Sequence, residues 1–85
     1  MPYYTYVLRS LKNGDFYVGS TADVYKRLVR HNSGKVRSTK GYAPWKLLQH
    51  EQFISRSEAV QHERFLKSHQ QKEILEQRYG AVAKR

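Results

Sequence analysis

Tyr6, Tyr17, Arg27, His31 and Glu63 have side chains that together meet the needs of phosphodiester hydrolysis. That reaction wants a divalent cation to neutralise the phosphate and polarise its oxygens. A hard cation is content with one carboxylate plus water and substrate oxygens, so Glu63 by itself can suffice. An arginine stabilises the charge of the pentacovalent transition state through charge-assisted hydrogen bonds. A base must also activate water. A free tyrosine, with a pKa of about 10, is only about 0.1% phenolate at pH 7, so it needs a cation or a neighbouring base to serve.

Each residue has an ordinary reading as well. Tyr6 and Tyr17 suit cross-strand packing. Arg27 suits a solvated helix surface, or an i,i+4 ion pair with Asp23. His31 suits the end of a helix, where an imidazolium interacts favourably with the dipole. Glu63 suits an ion pair with Arg27 or Lys67.

The elements that must position these residues can be read along the chain. Residues 3–9 alternate Tyr4, Tyr6 and Leu8 with Thr5, Val7 and Arg9, a strand pattern rich in aromatic and β-branched types. Asn13-Gly14 is a strong hairpin signal, and Phe16 to Gly19 forms the return strand. With Asn13-Gly14 as the two central residues, Tyr6 faces Thr21; a longer loop of suitable register brings the Tyr6 and Tyr17 rings closer, and a bulge undoes the parity. Thr21 or Asp23 caps a helix to about Asn32, stopped at Ser33-Gly34, with Val24 and Leu28 inward and Arg27 and His31 side by side on one flank. Residues 33–44 form a basic loop containing Tyr42. A third strand, residues 45–53, has adjacent Leu47 and Leu48, which fits contact on both faces.

Ser55-Arg56-Ser57-Glu58 has the form of a capping box and opens a helix to about Ser68. At about 100° per residue, Glu63 falls between Leu66, Ala59 and Val60 on the apolar arc. A carboxylate there needs a cation or strong donors, because burying it alone costs several kcal/mol. A last helix over residues 70–79 has Ile74 and Leu75 inward and ends at Gly80, and the final residues read as a flexible tail.

The 85 residues allow one domain, with a core over about 2–79 and a tail over 80–85. No cysteine is present, which excludes disulfides and thiolate zinc sites. The four histidines show no typical zinc spacing. No apolar run approaches the roughly 20 residues of a membrane span, and the N-terminus has no signal-peptide pattern, so the expected location is cytoplasmic. Sixteen Lys and Arg against seven Asp and Glu give a net charge of +9. Between Val24 and His50 no acidic residue occurs, while Lys26, Arg27, Arg30, Lys35, Arg37, Lys40 and Lys46 do. Such a block is a footprint for a polyanion, most plausibly nucleic acid. Residue chemistry and spacing therefore reach a basic α/β domain that binds nucleic acid.

Order and spacing go further. A tyrosine-containing triplet closes at Tyr6, and Tyr17-Val18-Gly19 follows eleven residues later. Arg27 comes ten after Tyr17 and His31 four after that, while Glu63 lies in a SEAVQHE stretch. In this the chain resembles a GIY-YIG nuclease domain, over Pro2 to about Arg78, and is most similar to the small stand-alone members with HNSGKVRSTK and PWKLL stretches. The resemblance implies an α/β (more narrowly α+β) fold, a three-stranded central sheet flanked by helices in the order β-β-α-β-α-α. It implies divalent-metal-dependent cleavage of phosphodiester bonds, with DNA, single-stranded or structured, the expected substrate ahead of RNA, and with neither membrane nor small-molecule cofactor. By position, Tyr6 or Tyr17 would be the general base or water-positioning group and Arg27 would hold the scissile phosphate. His31 would orient or help deprotonate a tyrosine, Glu63 would ligate Mg²⁺ or Mn²⁺, and Gly19 would allow close packing. Lys26, Arg30, Lys35, Arg37 and Lys40 would track the backbone, with Tyr42 as a stacking surface. The chain departs from the pattern at Tyr4-Thr5, which replace glycine and isoleucine. It departs again at Ser20, where relatives carry lysine, and at Leu75, where many larger relatives have asparagine. The alternative reading is a non-catalytic nucleic-acid-binding module on the same fold.

Overall fold

The computed structural model describes residues 2–81. Strands β1 (Tyr3–Ser10) and β2 (Phe16–Thr21) lead into helix α1 (Val24–Asn32); after a single 3₁₀ turn at Lys40–Tyr42 come strand β3 (Trp45–Phe53) and helices α2 (Arg56–Leu66) and α3 (His69–Tyr79). The order is the expected β-β-α-β-α-α. The sheet is antiparallel with β1 in the middle, order β2-β1-β3.

The β1–β2 register differs from the two-residue turn. Tyr6 pairs with Gly19, and Thr21 with Tyr4. Ser10 is the cause. Its backbone N–H donates to Asp15 O (2.8 Å), and its buried hydroxyl accepts from both Lys12 N and Asn13 N at 3.1 Å. The hydroxyl also donates to Tyr42 O at 2.6 Å. Asn13 Oδ1 accepts from Asp15 N (2.9 Å), and Gly14 takes a φ of 79° that only glycine adopts cheaply. The loop is therefore four residues, Leu11 to Gly14, and each partner of β1 moves two places along β2. Side-chain parity is kept, so both tyrosines still share a face.

Two cores cover the two faces of the sheet. Tyr6, Leu8, Val24 and Trp45, joined by Tyr17, Leu28 and Leu47, form the one under α1. Val7, Val18, Leu66 and Leu75, joined by Leu48, form the one under α2 and α3. The register of β1 on β3 slips between Val7 and Leu8, which pair with Gln49 and Leu47 and leave Leu48 as the extra residue. Leu47 and Leu48 thus serve opposite cores, as their adjacency implied.

Helix α1 starts at Asp23, whose carboxylate accepts from Lys26 N. Helix α2 starts at Ser55, which accepts from Glu58 N, but it ends at Leu66 rather than Ser68, because Ser68 caps α3 by accepting from Gln71 N. In α3 only half of the expected inward pair holds. Leu75 is buried, whereas Ile74 stays 42% exposed. Arg9 ties the end of α3 to the sheet by donating to Tyr79 O and to Ala81 O (2.9 Å). Gly80 and Ala81 are thus anchored, and the rest of the expected tail, 82–85, lies outside the described residues. No helix among the described residues is long and apolar enough to cross a membrane.

Candidate active site

The site is built where β1, β2 and α1 meet. Tyr6 stands opposite Gly19, and a Cβ on Gly19 would lie 2.6 Å from Tyr6 Oη and 2.8 Å from Tyr6 Cζ. Only the bare backbone lets the phenol lie across the edge strand. Since Tyr6 is itself 1% exposed, it has nowhere to retreat. Gly19→Ala is expected to destabilise the fold by about 1–3 kcal/mol through overpacking and to disorder the phenol. Urea unfolding checks the first effect and the Tyr6 ring signals in NMR the second; an unchanged midpoint would remove Gly19 from this role.

Tyr17 shares that face, its ring centroid 6.3 Å from Tyr6 and 4.9 Å from His31. From α1, His31 is 0% exposed and its Nε2 lies 3.0 Å from Tyr6 Oη. Its Nδ1 lies 2.8 Å from Thr39 Oγ1. Arg27, one turn earlier, sets its guanidinium beside both phenol oxygens. Its Nε is buried with no hydrogen-bond partner among the described residues. Asp23 spends its carboxylate on the helix cap, and among the described residues the carboxylates within 4 Å of a basic side chain are Glu51 (by His62), Glu63 (by Lys67) and Glu73 (by His69), so the Asp23–Arg27 pair does not form.

Glu63 arrives from the other face. Its side chain, 19% exposed, accepts from Ser20 Oγ at Oε1 (2.7 Å) and pairs with Lys67 Nζ at Oε2 (2.7 Å). Ser20 follows Gly19 directly, so the carboxylate is held on the edge strand β2 one residue past the glycine opposite Tyr6. Its charge reaches Tyr6. Four of the five expected residues therefore cluster on one face, and Glu63 joins them around the strand edge.

Electrostatics follow from burial. Tyr6 is pushed up to about 12, mainly by burial, with the neighbouring Arg27 opposing and the Tyr17 and Glu63 charges adding to the rise. His31 is lowered to about 4 by burial first and by Arg27 and Arg30 next, so it is neutral at neutral pH. A neutral imidazole does not interact with the helix dipole as a cation, which removes that reading. The unfolded chain binds the His31 proton more readily than the folded one, so stability rises with pH. The contribution is complete above about pH 6.5 and is lost as pH falls toward about 4. Urea midpoints measured from pH 7 to pH 4.5 should fall more steeply for the wild type than for His31→Gln. Parallel profiles would contradict a buried neutral His31.

Lys26, Arg27 and Arg30 line a groove with Thr21, Ala22 and Asp23. Lys35, Arg37, Lys40 and Tyr42 are exposed on residues 33–44, outside the tyrosine cluster. Trp45 is buried beside Tyr17 and His31 and serves packing. Two site residues escaped the sequence reading. Ser20 carried a signal, as the residue just after Tyr17-Val18-Gly19; Thr39 carried none within its basic loop.

A family model described as the GIY-YIG catalytic domain matches residues 2–79. The chain belongs to the GIY-YIG family. It is similar to the UPF0213 protein of Bacillus pumilus, 44% identical over 62 residues that cover 72% of this chain and 62% of that one. The corresponding match takes in 65% of a Streptococcus pneumoniae UPF0213 protein, so the chain spans just under two thirds of either relative. A Halobacterium salinarum UPF0213 protein is 38% identical, with 86% of this chain and 97% of that one covered. The solution NMR structure of the UPF0213 protein BH0048 from Bacillus halodurans superposes with a TM-score of 0.54 at 36% identity, covering 95% of this chain and 88% of that one. As a GIY-YIG domain the chain carries a nuclease-type fold. Its Leu75, at the asparagine position of larger relatives, packs against Val7, Val18 and Leu66 and brings no polar group to the site.

Whether these residues suit a divalent cation depends on the donor set. Among the described residues no three His, Cys, Asp or Glu side chains gather as a closed metal cage. A single carboxylate, oriented by Ser20 and already holding an ammonium, fits a hard cation that keeps water and substrate oxygens as its other ligands.

Proposed function

We propose that this GIY-YIG protein is a metal-dependent endonuclease hydrolysing phosphodiester bonds in DNA, with single-stranded or structured DNA as the preferred form. The observation that carries this reading is Arg27. A guanidinium whose buried Nε–H has no partner among the described residues, set beside two phenols on a side chain that lines a groove with Lys26 and Arg30, wants an anionic oxygen. Phosphate supplies it.

In this reading Arg27 holds the scissile phosphate and stabilises charge developing on its oxygens. Glu63 would hold Mg²⁺ or Mn²⁺, which supplies Lewis-acid neutralisation of the phosphate when bound; Lys67 must then give way. Tyr6 at about 12 is phenolate in only about one molecule in 10⁵ at pH 7, so it does not act as a resting base. It can take a proton from water only as its own proton passes to His31 Nε2, leaving the phenol neutral and the imidazole charged. Tyr17, less buried, shares in orienting that water. Lys35, Arg37 and Lys40 contribute sequence-independent attraction along the backbone, and Tyr42 offers a ring for a base.

Labelled single- and double-stranded DNA and RNA, incubated with Mg²⁺, Mn²⁺ or chelator, test the proposal. Metal-dependent cutting of DNA is expected. The occupied Glu63 carboxylate and the apolar Leu75 favour one other reading, a nucleic-acid-binding module without turnover. Salt-sensitive binding without cutting would select it, and no binding to any substrate at low salt would sink both.

A further inference from the structure

We propose that Thr39 is a positioning residue that fixes the tautomer of His31, so that a bare Nε2 faces the Tyr6 hydroxyl. This rests on the nuclease reading for its purpose, but not for its test.

The argument is a count of donors and acceptors in a dry chain. Tyr6, His31 and Thr39 are 1%, 0% and 1% exposed, so no bulk water completes their bonding. Two arrangements satisfy the short contacts at either ring nitrogen. In one, His31 carries its proton on Nε2 and donates to Tyr6 Oη, while Thr39 donates to Nδ1. In the other, Tyr6 donates to Nε2 and Nδ1–H donates to Thr39 Oγ1.

The first arrangement strands a proton. Tyr6 Oη already has the donor-only guanidinium of Arg27 beside it. If Nε2–H also donated there, the phenol proton would have no acceptor among the contacts the oxygen makes, since its hydrogen-bonded neighbour is His31 itself. The second arrangement leaves nothing over. Tyr6 donates to Nε2, Nδ1–H donates to Thr39 Oγ1, and the Thr39 hydroxyl donates at 3.3 Å to Val36 O, which it shares with Thr39 N and Lys40 N at 3.0 Å. Every hydroxyl and ring N–H then points the same way, from the phenol to a backbone carbonyl.

Thr39 can hold this position because its own backbone is pinned. Its N–H donates to Val36 O (3.0 Å), and its carbonyl accepts from the Trp45 indole Nε1 (3.0 Å). Trp45 is fixed in turn by Asn32, whose Nδ2 donates to Trp45 O and whose Oδ1 accepts from Trp45 N. The basic segment 33–44 thus contains one rigid node, and that node touches the imidazole. The consequence for chemistry is direct. Only a bare Nε2 can receive the phenol proton, and the wrong tautomer would present an N–H that blocks the transfer.

Nitrogen-15 NMR of the imidazole tests this on the intact protein at neutral pH. The wild type should show Nδ1 in the protonated range and Nε2 in the unprotonated range. Thr39→Val, which keeps shape but removes the hydroxyl, should shift the population toward Nε2–H, and Thr39→Ser should restore the wild-type pattern. In cleavage assays Thr39→Val should lower kcat roughly 10- to 100-fold with little change in KM, again restored by Thr39→Ser. A wild-type spectrum with Nε2 protonated overturns the proposal without any variant, even where Thr39→Val fails to fold. So does an unchanged tautomer in Thr39→Val. Absence of cleavage would count against the nuclease reading, while the spectra would still decide the role of Thr39.

Discussion

Glu63→Gln is expected to lower metal-dependent cleavage at least about 10³-fold while leaving the fold intact, because anchoring a cation at the phosphate is worth several kcal/mol of transition-state stabilisation. The change suits the site. Glutamine Oε1 can still accept from Ser20, so the helix α2 side chain keeps its orientation at the edge of β2. What disappears is the charge that now holds Lys67 and would hold the cation. Mn²⁺ binding followed by electron paramagnetic resonance should weaken in parallel, and DNA affinity in chelator should hold or rise slightly as a negative charge leaves. Cleavage at the wild-type rate in Glu63→Gln would remove this carboxylate from the site. Loss of cleavage with Mn²⁺ binding unchanged would assign the cation to other groups.

Arg27→Ala should lower turnover about 10²- to 10³-fold, with affinity for DNA falling less than about 10-fold. The asymmetry has a structural basis. Lys26 and Arg30 remain in the groove and retain most of the long-range attraction, whereas Arg27 is the one that acts on both phenols. Arg27→Lys should recover little of the loss, since an ammonium cannot offer the planar fork that spans phosphate and phenol oxygens. Equal losses in affinity and turnover would reduce Arg27 to one more basic residue of the surface. Removing the guanidinium should also push the Tyr6 hydroxyl further up, because Arg27 is what opposes the effect of burial there. Spectrophotometric titration of the tyrosines reads that shift without reference to activity.

These expectations place the weight of the site on two residues of different visibility. Arg27 was legible from its spacing after Tyr17 and before His31, but its ordinary alternative, an ion pair with Asp23, was equally legible. The structure separates them because Asp23 is consumed by the cap of α1. Glu63 was legible as a carboxylate on an apolar arc that needs a cation or strong donors, and the structure supplies both an ammonium, Lys67, and a hydroxyl donor, Ser20.

Local signals determined the elements of this protein. The Asp23, Ser55 and Ser68 caps act within a few residues of themselves, and the alternation in residues 3–9 marks a strand before its partners are placed, so element order and the α+β class follow from the chain as written. Tertiary structure decided the register that makes a site of them. Ser10 shapes the four-residue loop partly through a bond to Tyr42 O, thirty-two residues away, and that register sets Tyr6 over Gly19. It decided the face of Ile74, which local periodicity sent inward and packing left outside. It also decided Thr39, a residue with no pattern of its own. Hydrogen bonds between residues far apart in sequence leave no periodic trace, and the bond that ties Tyr6 to His31, twenty-five residues on, is one of them.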